Sequence, residues 1–314
     1  MDDRWRSEEV LPGTSKDFVD NKRTSSVDIF DAQGYPDPPA TPITKRKGSV
    51  FLEAPIYQNS RFYAMNGKKR GKVLIFNQVT FDDKNYAARI GTEKDVQRLY
   101  DSLPKLGFLP EDILVHEDFS AKEIERTVRQ LDTDPTLVDC DCLITVILTH
   151  GEQDDRLMAR DTSYHLYQFI ENFTPTALPS MAGKPKLFIV QACRGRSLDN
   201  GISLSPLRLV MDSVDTIGDM EIFTYPECAD FLIVMSSHHG HFSFRNEQGS
   251  WLIQEFCNVL DNCQVEQDSI YDILTETNLA VSKRVSSAEG VMDRKKQISS
   301  FYSTLTRALY FAKR

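Results

Sequence analysis

Short apolar runs alternate with amphipathic stretches over most of the chain, beginning near residue 72. Short apolar runs bounded by polar residues are typical of buried strands, and apolar positions at a helical repeat are typical of helices that pack on a sheet. Their alternation favours an α/β fold with a largely parallel sheet. The pattern predicts six strands, at residues 72–77, 112–116, 142–148, 186–191, 230–236 and 303–311.

The amphipathic stretches between these strands predict helices at residues 92–106, 120–131, 165–173, 249–260 and 269–284. Ser120 and Glu123 have the spacing of a capping box, in which each side chain bonds the backbone N–H of the other residue. The start of the second helix is therefore the most sharply defined boundary in the sequence.

Two segments lack this alternation. Residues 1–60 are rich in proline and carry the basic run Lys45-Arg46-Lys47, so we expect a mobile N-terminal segment. Residues 196–226 lie between two predicted strands without a convincing element of their own. Loops of that length usually carry a function or are cut.

Composition and charge narrow the class of protein. The 314 residues are 40% hydrophobic and 26% charged, which is enough apolar material for a substantial core. The net charge of −9 argues against nucleic acid as a partner. No apolar run approaches the roughly 20 residues of a membrane span, and the first residues lack the apolar core of a secretory signal. We therefore expect a cytoplasmic protein with no nucleic-acid or membrane partner.

The spacing of the cysteines and histidines does not indicate a metal site. The six cysteines form no C-x-x-C pair, which is expected where thiols stay reduced. His238, His239 and His241 crowd together, but no Cys or His pair at zinc-ligand spacing accompanies them. We expect no disulfide framework, no metal and no organic cofactor.

A cysteine and a histidine each follow a predicted buried strand. The strand at residues 186–191 leads into Cys193, and the strand at residues 142–148 leads into Thr149, His150 and Gly151. The carboxyl ends of neighbouring parallel strands open the ligand crevice of an α/β sheet, so the thiol and the imidazole can face each other there.

This pair suits acyl transfer. A free thiol is mostly un-ionised at neutral pH, and His150 has an ordinary pKa near neutrality that allows it to accept the proton. The backbone N–H groups of Gly151 and Cys193 can hold an oxyanion at the same place. The alternative is a structural cysteine, since buried Cys often serves as a small hydrophobe.

The run Gln191-Ala192-Cys193-Arg194-Gly195 fits the Q-A-C-[RQG]-G signature of caspases, whose histidine lies roughly 50 residues upstream. From about residue 70 to residue 313 the sequence resembles this family of cysteine proteases. Further matching blocks occur in the family's order: Arg89-Ile90-Gly91-Thr92, Thr149-His150-Gly151-Glu152, Gly183-Lys184-Pro185-Lys186-Leu187-Phe188, Ala229-Asp230-Phe231-Leu232, Ser243-Phe244-Arg245-Asn246 and Gly249-Ser250-Trp251.

The resemblance implies a caspase-like three-layer α/β fold. In it a central six-stranded, mostly parallel sheet carries helices on both faces, and the edge strand at residues 303–311 pairs with its twin in a dimer. The resemblance also implies that Cys193 is the nucleophile, that His150 is the general acid and base, and that the N–H groups of Gly151 and Cys193 form the oxyanion hole.

The resemblance further assigns a pocket for a substrate aspartate. Arg89, Gln191 and Arg245 match this pocket, and two guanidinium groups can hold one carboxylate through charge-assisted hydrogen bonds. Phe244 stands where the family usually has tryptophan. The remaining residues that the resemblance assigns to substrate binding are Phe242, Ser243, Phe244 and Asn246.

Caspases are made as single chains and cut after aspartate, so the resemblance implies a zymogen. Asp212 and Asp215 precede small residues in the long linker and are the predicted cut sites, while Asp28 is a candidate for removal of the N-terminal segment. The expected divisions are a prodomain at residues 1–60, a large subunit at 61–212, the rest of the linker at 213–226 and a small subunit at 227–314. The short, proline-rich N-terminal segment favours the executioner type over initiators, which carry helical recruitment domains.

The sequence therefore predicts an executioner caspase in apoptosis that cleaves proteins after aspartate. Its expected partners are protein substrates, a second processed chain, an upstream initiator caspase and inhibitor-of-apoptosis proteins. One alternative is a catalytically silent relative that acts by binding or heterodimerisation. A second alternative is a protease that cleaves after basic residues, as metacaspase-like enzymes do, although Arg89 and Arg245 would repel such a side chain.

Overall fold

Six strands form one mostly parallel sheet at the centre of the fold. The structure is a computed structural model that describes residues 60–195, 197–201, 226, 228–288 and 290–311. The sheet order is β10-β7-β6-β3-β1-β2, and β10 alone pairs antiparallel. The described residues contain ten strands, namely β1 Lys69–Asn77, β2 Ile113–Glu117, β3 Cys140–Leu148, β4 Arg156–Met158, β5 Ser163–His165, β6 Lys186–Gln191, β7 Phe231–Met235, β8 Arg245–Asn246, β9 Gly249–Ser250 and β10 Ser300–Ser303.

In the part of the chain that the structure describes, five α-helices cover the two faces of this sheet. They are α1 Thr92–Ser102, α2 Ala121–Gln130, α3 Leu166–Ile170, α4 Trp251–Asn262 and α5 Ile270–Lys283. Side chains alternate across a strand, so Val73 and Ile75 of β1 pack with α1, α4 and α5, whereas Leu74 and Phe76 pack with α2 and α3. The predicted three-layer architecture is therefore confirmed. Among the described helices, none combines the length and apolar character that crossing a membrane requires.

The helix boundaries follow local chemistry. The predicted capping box of α2 is present, because Ser120 Oγ accepts from the Glu123 N–H at 3.3 Å and the Glu123 carboxylate accepts from the Ser120 N–H at 2.8 Å. Helix α1 ends earlier than predicted and continues as a 3₁₀ turn, where Pro104 lacks the N–H that an α-helix needs. Helix α4 begins later than predicted, since Gly249–Ser250 pairs as a strand with β8.

The last predicted strand is wrong in position. The sequence predicts it at residues 303–311, but β10 is Ser300–Ser303, paired with Leu232 to Met235 of β7. Beyond β10 the chain leaves the sheet. Leu309 and Phe311 are buried in the core, and the Leu309 carbonyl accepts from the Ile270 N–H of α5 at 2.9 Å. Ala308 bridges in parallel to Phe62, outside the central sheet. This segment therefore packs on the core beside the sheet instead of extending β10.

The described part of the long linker is anchored to two neighbouring loops. Ser197 bridges to His241, and Asp199 bridges to Lys296. The predicted cut sites Asp212, Asp215 and Asp28 lie outside the described residues.

Candidate active site

The ends of β3 and β6 bring the cysteine and histidine loops together. Leu148 and Gln191 are register partners at the carboxyl ends of these strands, and the Thr149 N–H donates to the Gln191 carbonyl at 3.1 Å. Beyond this point Gly151 packs on the backbone of Cys193. A Cβ on Gly151 would lie 2.2 Å from the Cys193 carbonyl oxygen, so this close approach requires glycine.

Cys193 is half-buried and faces Ser243. Its Sγ lies 3.6 Å from Ser243 Oγ and 3.9 Å from the Ser243 carbonyl oxygen. Gln191 Nε2 donates to the same Ser243 hydroxyl at 3.1 Å. Ser243 therefore contacts both Cys193 and Gln191. These two residues are separated by one position at the end of β6, so their side chains can lie on the same face.

The surroundings of His150 orient its ring and favour its neutral form. Its Nε2 lies 2.8 Å from the Ala87 carbonyl oxygen, which can only accept, so Nε2 carries the proton and Nδ1 is the basic nitrogen. Phe81 and Tyr86 pack on the imidazole, with ring centroids 5.0 and 5.7 Å away. Burial lowers the pKa of His150, and repulsion by Arg89 and Arg245 lowers it further. The hydrogen bond to the Ala87 carbonyl acts in the opposite direction and raises this pKa.

Arg89 is a buried cation with unused donors. Its Nη1 donates to the Gln78 carbonyl at 3.0 Å and to Thr92 Oγ1 at 2.8 Å. Its Nε and Nη2 are buried and have no hydrogen-bond partner among the described residues. Burial and then repulsion by Arg245 lower the pKa of Arg89 to about 9. Leaving a buried charge incompletely paired is costly, so this hollow favours an anion.

Arg245 completes the cationic hollow. Its Nε donates to the Ile90 carbonyl at 3.0 Å, which ties β8 to the loop that carries Arg89. Burial lowers the pKa of Arg245, while attraction to Asp95 and to Cys193 opposes that shift. Both arginines thus act electrostatically on the sulfur as well as on each other.

Asp95 is a site residue that the sequence prediction missed. It lies on α1 and is fully buried, and its Oδ1 accepts from the Ser250 N–H at 2.7 Å. Burial raises the pKa of Asp95 to about 6, although both arginines act in the opposite direction. The sequence pattern could have indicated this burial, because Asp95 lies at helical spacing from Thr92 and Leu99, on the buried face of α1.

Of the residues that the resemblance assigns to substrate binding, Phe244, Arg245 and Asn246 line a cavity of about 340 Å³. The Phe244 ring stacks on Trp251 with centroids 4.9 Å apart. Trp251 and Arg284 also line this cavity, and the prediction did not include either. Asn246 lies at its rim, but its Oδ1 accepts from the Gln248 N–H within the β8–β9 turn at 2.9 Å.

Phe242 lies outside the lining of this cavity. Its N–H donates to the Ser197 carbonyl at 3.1 Å, which fixes it against the start of the linker.

An ion pair that was not predicted joins the loops after β3 and β6: Arg194 donates through Nε and Nη2 to the Asp155 carboxylate at 2.8 and 3.1 Å. Two nitrogens on two oxygens make this the geometrically specific form of such a pair.

An α/β sheet with a thiol and an imidazole at adjacent strand ends defines a candidate cysteine hydrolase. Residues 70–310 match the family model described as "Caspase domain". Caspase-1 of Spodoptera frugiperda is 37% identical over 264 residues, covering 83% of this chain and 84% of that protein. Caspase-7 of Gallus gallus is 32% identical over 311 residues, covering 97% of each.

The structural comparison agrees. The crystal structure of caspase-1 from Spodoptera frugiperda matches with a TM-score of 0.75 at 35% identity, covering 84% of this chain and 100% of that one. The chain therefore belongs to the caspase family, and it is a cysteine protease. The predicted family and fold class are confirmed.

Proposed function

We propose that this caspase is an aspartate-specific endopeptidase of the executioner type, with Cys193 and His150 as its catalytic residues. The observation that carries the proposal is Arg89, a fully buried guanidinium whose Nε and Nη2 lack partners among the described residues. Arg245 donates to the carbonyl of Ile90, the residue after Arg89, and Ser243 Oγ lies 3.6 Å from the Cys193 sulfur. These contacts support a pocket that joins the unused donors of Arg89 to the thiol. A substrate carboxylate next to the scissile bond supplies the missing acceptor.

The reaction follows from the positions of the two loops. His150 Nδ1 takes the thiol proton, and the Cys193 sulfur attacks the substrate carbonyl carbon to form a tetrahedral intermediate. The N–H groups of Gly151 and Cys193 hold its oxyanion. The C–N bond then breaks, the amine leaves with the proton from His150, and a thioester remains. Water, deprotonated by His150, hydrolyses the thioester and regenerates the thiol.

Several finer features belong to the same proposal. The linker sequence Asp212-Ser213-Val214-Asp215 has the form of an executioner target and supports activation by cleavage there. The likeness to Caspase-7 over 97% of both chains supports the executioner type. Dimer formation accords with the family, and we propose that its interface includes β10, one of the two edge strands of the sheet. A cytoplasmic location, an initiator caspase and inhibitor-of-apoptosis proteins as partners, and a role in apoptosis stay predictions from the sequence.

A peptide panel tests the specificity. Fluorogenic peptides that differ only in having Asp, Asn or Lys before the scissile bond are compared by kcat/KM. We expect the Asp peptide to be favoured over the isosteric Asn peptide by at least about 30-fold, because removing one charge of a buried hydrogen-bonded charge pair costs about 2–5 kcal/mol. Cys193→Ala should lower kcat/KM at least about a thousandfold. A peptide aldehyde ending in aspartate should lose its covalent hemithioacetal bond to the sulfur but keep its non-covalent binding.

The panel also separates the alternatives. Cleavage after Lys alone would contradict the proposed pocket and favour a protease for basic residues. Absence of cleavage in the linker-cut protein, with retained affinity for the aldehyde, would favour a silent relative that acts by binding.

A further inference from the structure

We propose that Gln297 is a positioning residue that holds the substrate-binding segment Ser243 to Arg245 in register with Cys193. The inference rests on the proposed function, since it concerns how that pocket is kept in shape. Gln297 is almost fully buried. It lies on the chain segment that leads into β10, far in sequence from every residue of the site.

The side-chain amide of Gln297 joins two backbone segments. Its Oε1 accepts from the Phe244 N–H at 2.6 Å, and its Nε2 donates to the Ser236 carbonyl at 2.7 Å. Both amide atoms are thus used, one on the substrate-binding segment and one on the end of β7. We call this pair of hydrogen bonds the amide bridge.

The other end of the amide bridge, at Ser236, is hydrogen-bonded to the residues that precede Cys193. Ser236 Oγ accepts from the Ala192 N–H at 3.2 Å and donates to the Ala192 carbonyl at 2.8 Å. The Ser236 N–H donates to the Val190 carbonyl at 3.0 Å. A continuous set of hydrogen bonds therefore runs from the residue before Cys193, through Ser236 and Gln297, to Phe244.

The hydrogen bond of the amide bridge to Phe244 also positions the two residues on either side of it, Ser243 and Arg245. Ser243 contacts the Cys193 sulfur and accepts from Gln191, and Arg245 supplies one of the two pocket cations. A shift of the Phe244 backbone moves both residues relative to the thiol. Since binding geometry must be kept within a fraction of an ångström, the bridge controls how well the pocket receives its carboxylate.

Glutamine suits this place because the site needs one donor and one acceptor on the same planar group. The Gln297→Glu substitution, when its carboxylate is charged, would present an oxygen to the Ser236 carbonyl, and two acceptors repel each other. The Gln297→Met substitution would keep the length of the side chain but leave the Phe244 N–H and the Ser236 carbonyl without this hydrogen-bond partner.

The test compares Gln297→Met and Gln297→Glu with Gln267→Met, which alters an exposed glutamine on another part of the chain. All rates are measured with a fluorogenic peptide carrying Asp before the scissile bond and are normalised to titrated active sites. We expect Gln297→Met to raise KM about tenfold or more with kcat within about threefold of the parent, following the lost hydrogen bonds. Gln267→Met should match the parent in both.

Acid pH should rescue Gln297→Glu. A protonated carboxyl group offers an O–H to the Ser236 carbonyl and a carbonyl oxygen to the Phe244 N–H, which restores the amide bridge. Burial raises the pKa of such a carboxyl group, so the protonated form is accessible. The KM of Gln297→Glu relative to the parent should fall as the pH is lowered from about 8 to about 5.5, whereas the ratio for Gln297→Met should stay constant.

Unchanged KM in Gln297→Met, or a fall only in the fraction of titratable sites, would overturn the positioning role and leave a structural one. Amide hydrogen exchange gives a readout that does not need activity: the Phe244 N–H should exchange faster in Gln297→Met than in Gln267→Met. If the parent cleaves no Asp peptide, the proposed function fails while this exchange measurement still decides whether the bridge holds the segment.

Discussion

Asp95 shows how a single buried charge ties the stability of this protein to its cationic pocket. Its carboxylate is attracted by Arg89 and Arg245. It accepts one hydrogen bond, from the Ser250 N–H, while Oδ2 has no partner among the described residues. Burial raises its pKa from 3.8 to about 6. A group whose pKa is raised on folding binds protons more tightly in the folded state, so its ionisation destabilises the fold.

Asp95→Asn should therefore gain stability relative to the parent as the pH rises. Well below pH 4 Asp95 is protonated in both the folded and the unfolded parent, so parent and variant should have similar free energies of unfolding. Between about pH 4 and pH 6 the unfolded parent loses the Asp95 proton while the folded parent keeps it, so the free energy of unfolding of the parent falls. Near pH 7.5 the variant should be more stable by on the order of 2–3 kcal/mol. Urea unfolding at pH 4 and 7.5 measures this, with Glu93→Gln, which alters an exposed acid of the same helix, as the control. Equal stability differences at the two pH values would contradict the expected titration.

Some site residues were predictable and others were not, for physical reasons. Cys193 and His150 follow apolar runs, and the strand ends of a parallel sheet converge, so their proximity could be predicted. Asp95 could have been noticed as a charge on the buried face of a helix. Gln297 could not, because its role depends on two backbone groups from distant parts of the chain, which no local pattern records.

At the scale of elements, the capped helix α2 rests on signals that are local in sequence. Ser120 and Glu123 satisfy each other's backbone N–H groups, and this spacing is visible without any tertiary information. The misplaced final strand is the opposite case. The apolar and aromatic residues of 303–311 suit a strand, but Leu309 and Phe311 are buried in the core outside the central sheet, and only tertiary packing separates the two outcomes.

Ser120→Ala should lower the free energy of unfolding by about 1 kcal/mol, the usual cost of losing an N-cap. Helix α2 packs on the face of the sheet opposite to α1 and α4, so kcat/KM should stay within about twofold of the parent. Lys122→Ala, in the same turn but exposed and outside the cap, is the matched control and should leave stability within about 0.5 kcal/mol. A Ser120→Ala variant as stable as Lys122→Ala would show that the cap contributes nothing measurable.

At the scale of the whole molecule, the sheet spans the linker that the proposed activation cuts. Strand β6 precedes the linker and β7 follows it, yet the two pair in parallel along Lys186 to Val190. Other contacts cross the same division. Tyr63 donates to the buried Asp230 carboxylate at 2.5 Å, and Arg245 donates to the Ile90 carbonyl at 3.0 Å. The chain segments before and after the linker thus form one common core. Non-covalent packing between them, rather than the linker itself, holds the core together.

Cleavage in the linker should therefore leave one particle. A recognition sequence for an unrelated protease, inserted between Asp212 and Ser213 in the Cys193→Ala background, allows the cut to be made without self-processing. The two fragments should co-elute in size-exclusion chromatography and separate only in denaturant, because the core that joins them buries apolar side chains of both. The uncut protein is the control for elution volume. Fragments that separate under native conditions would contradict this view of the core, and unfolding of the cut form should become concentration-dependent, as expected when two chains must reassociate.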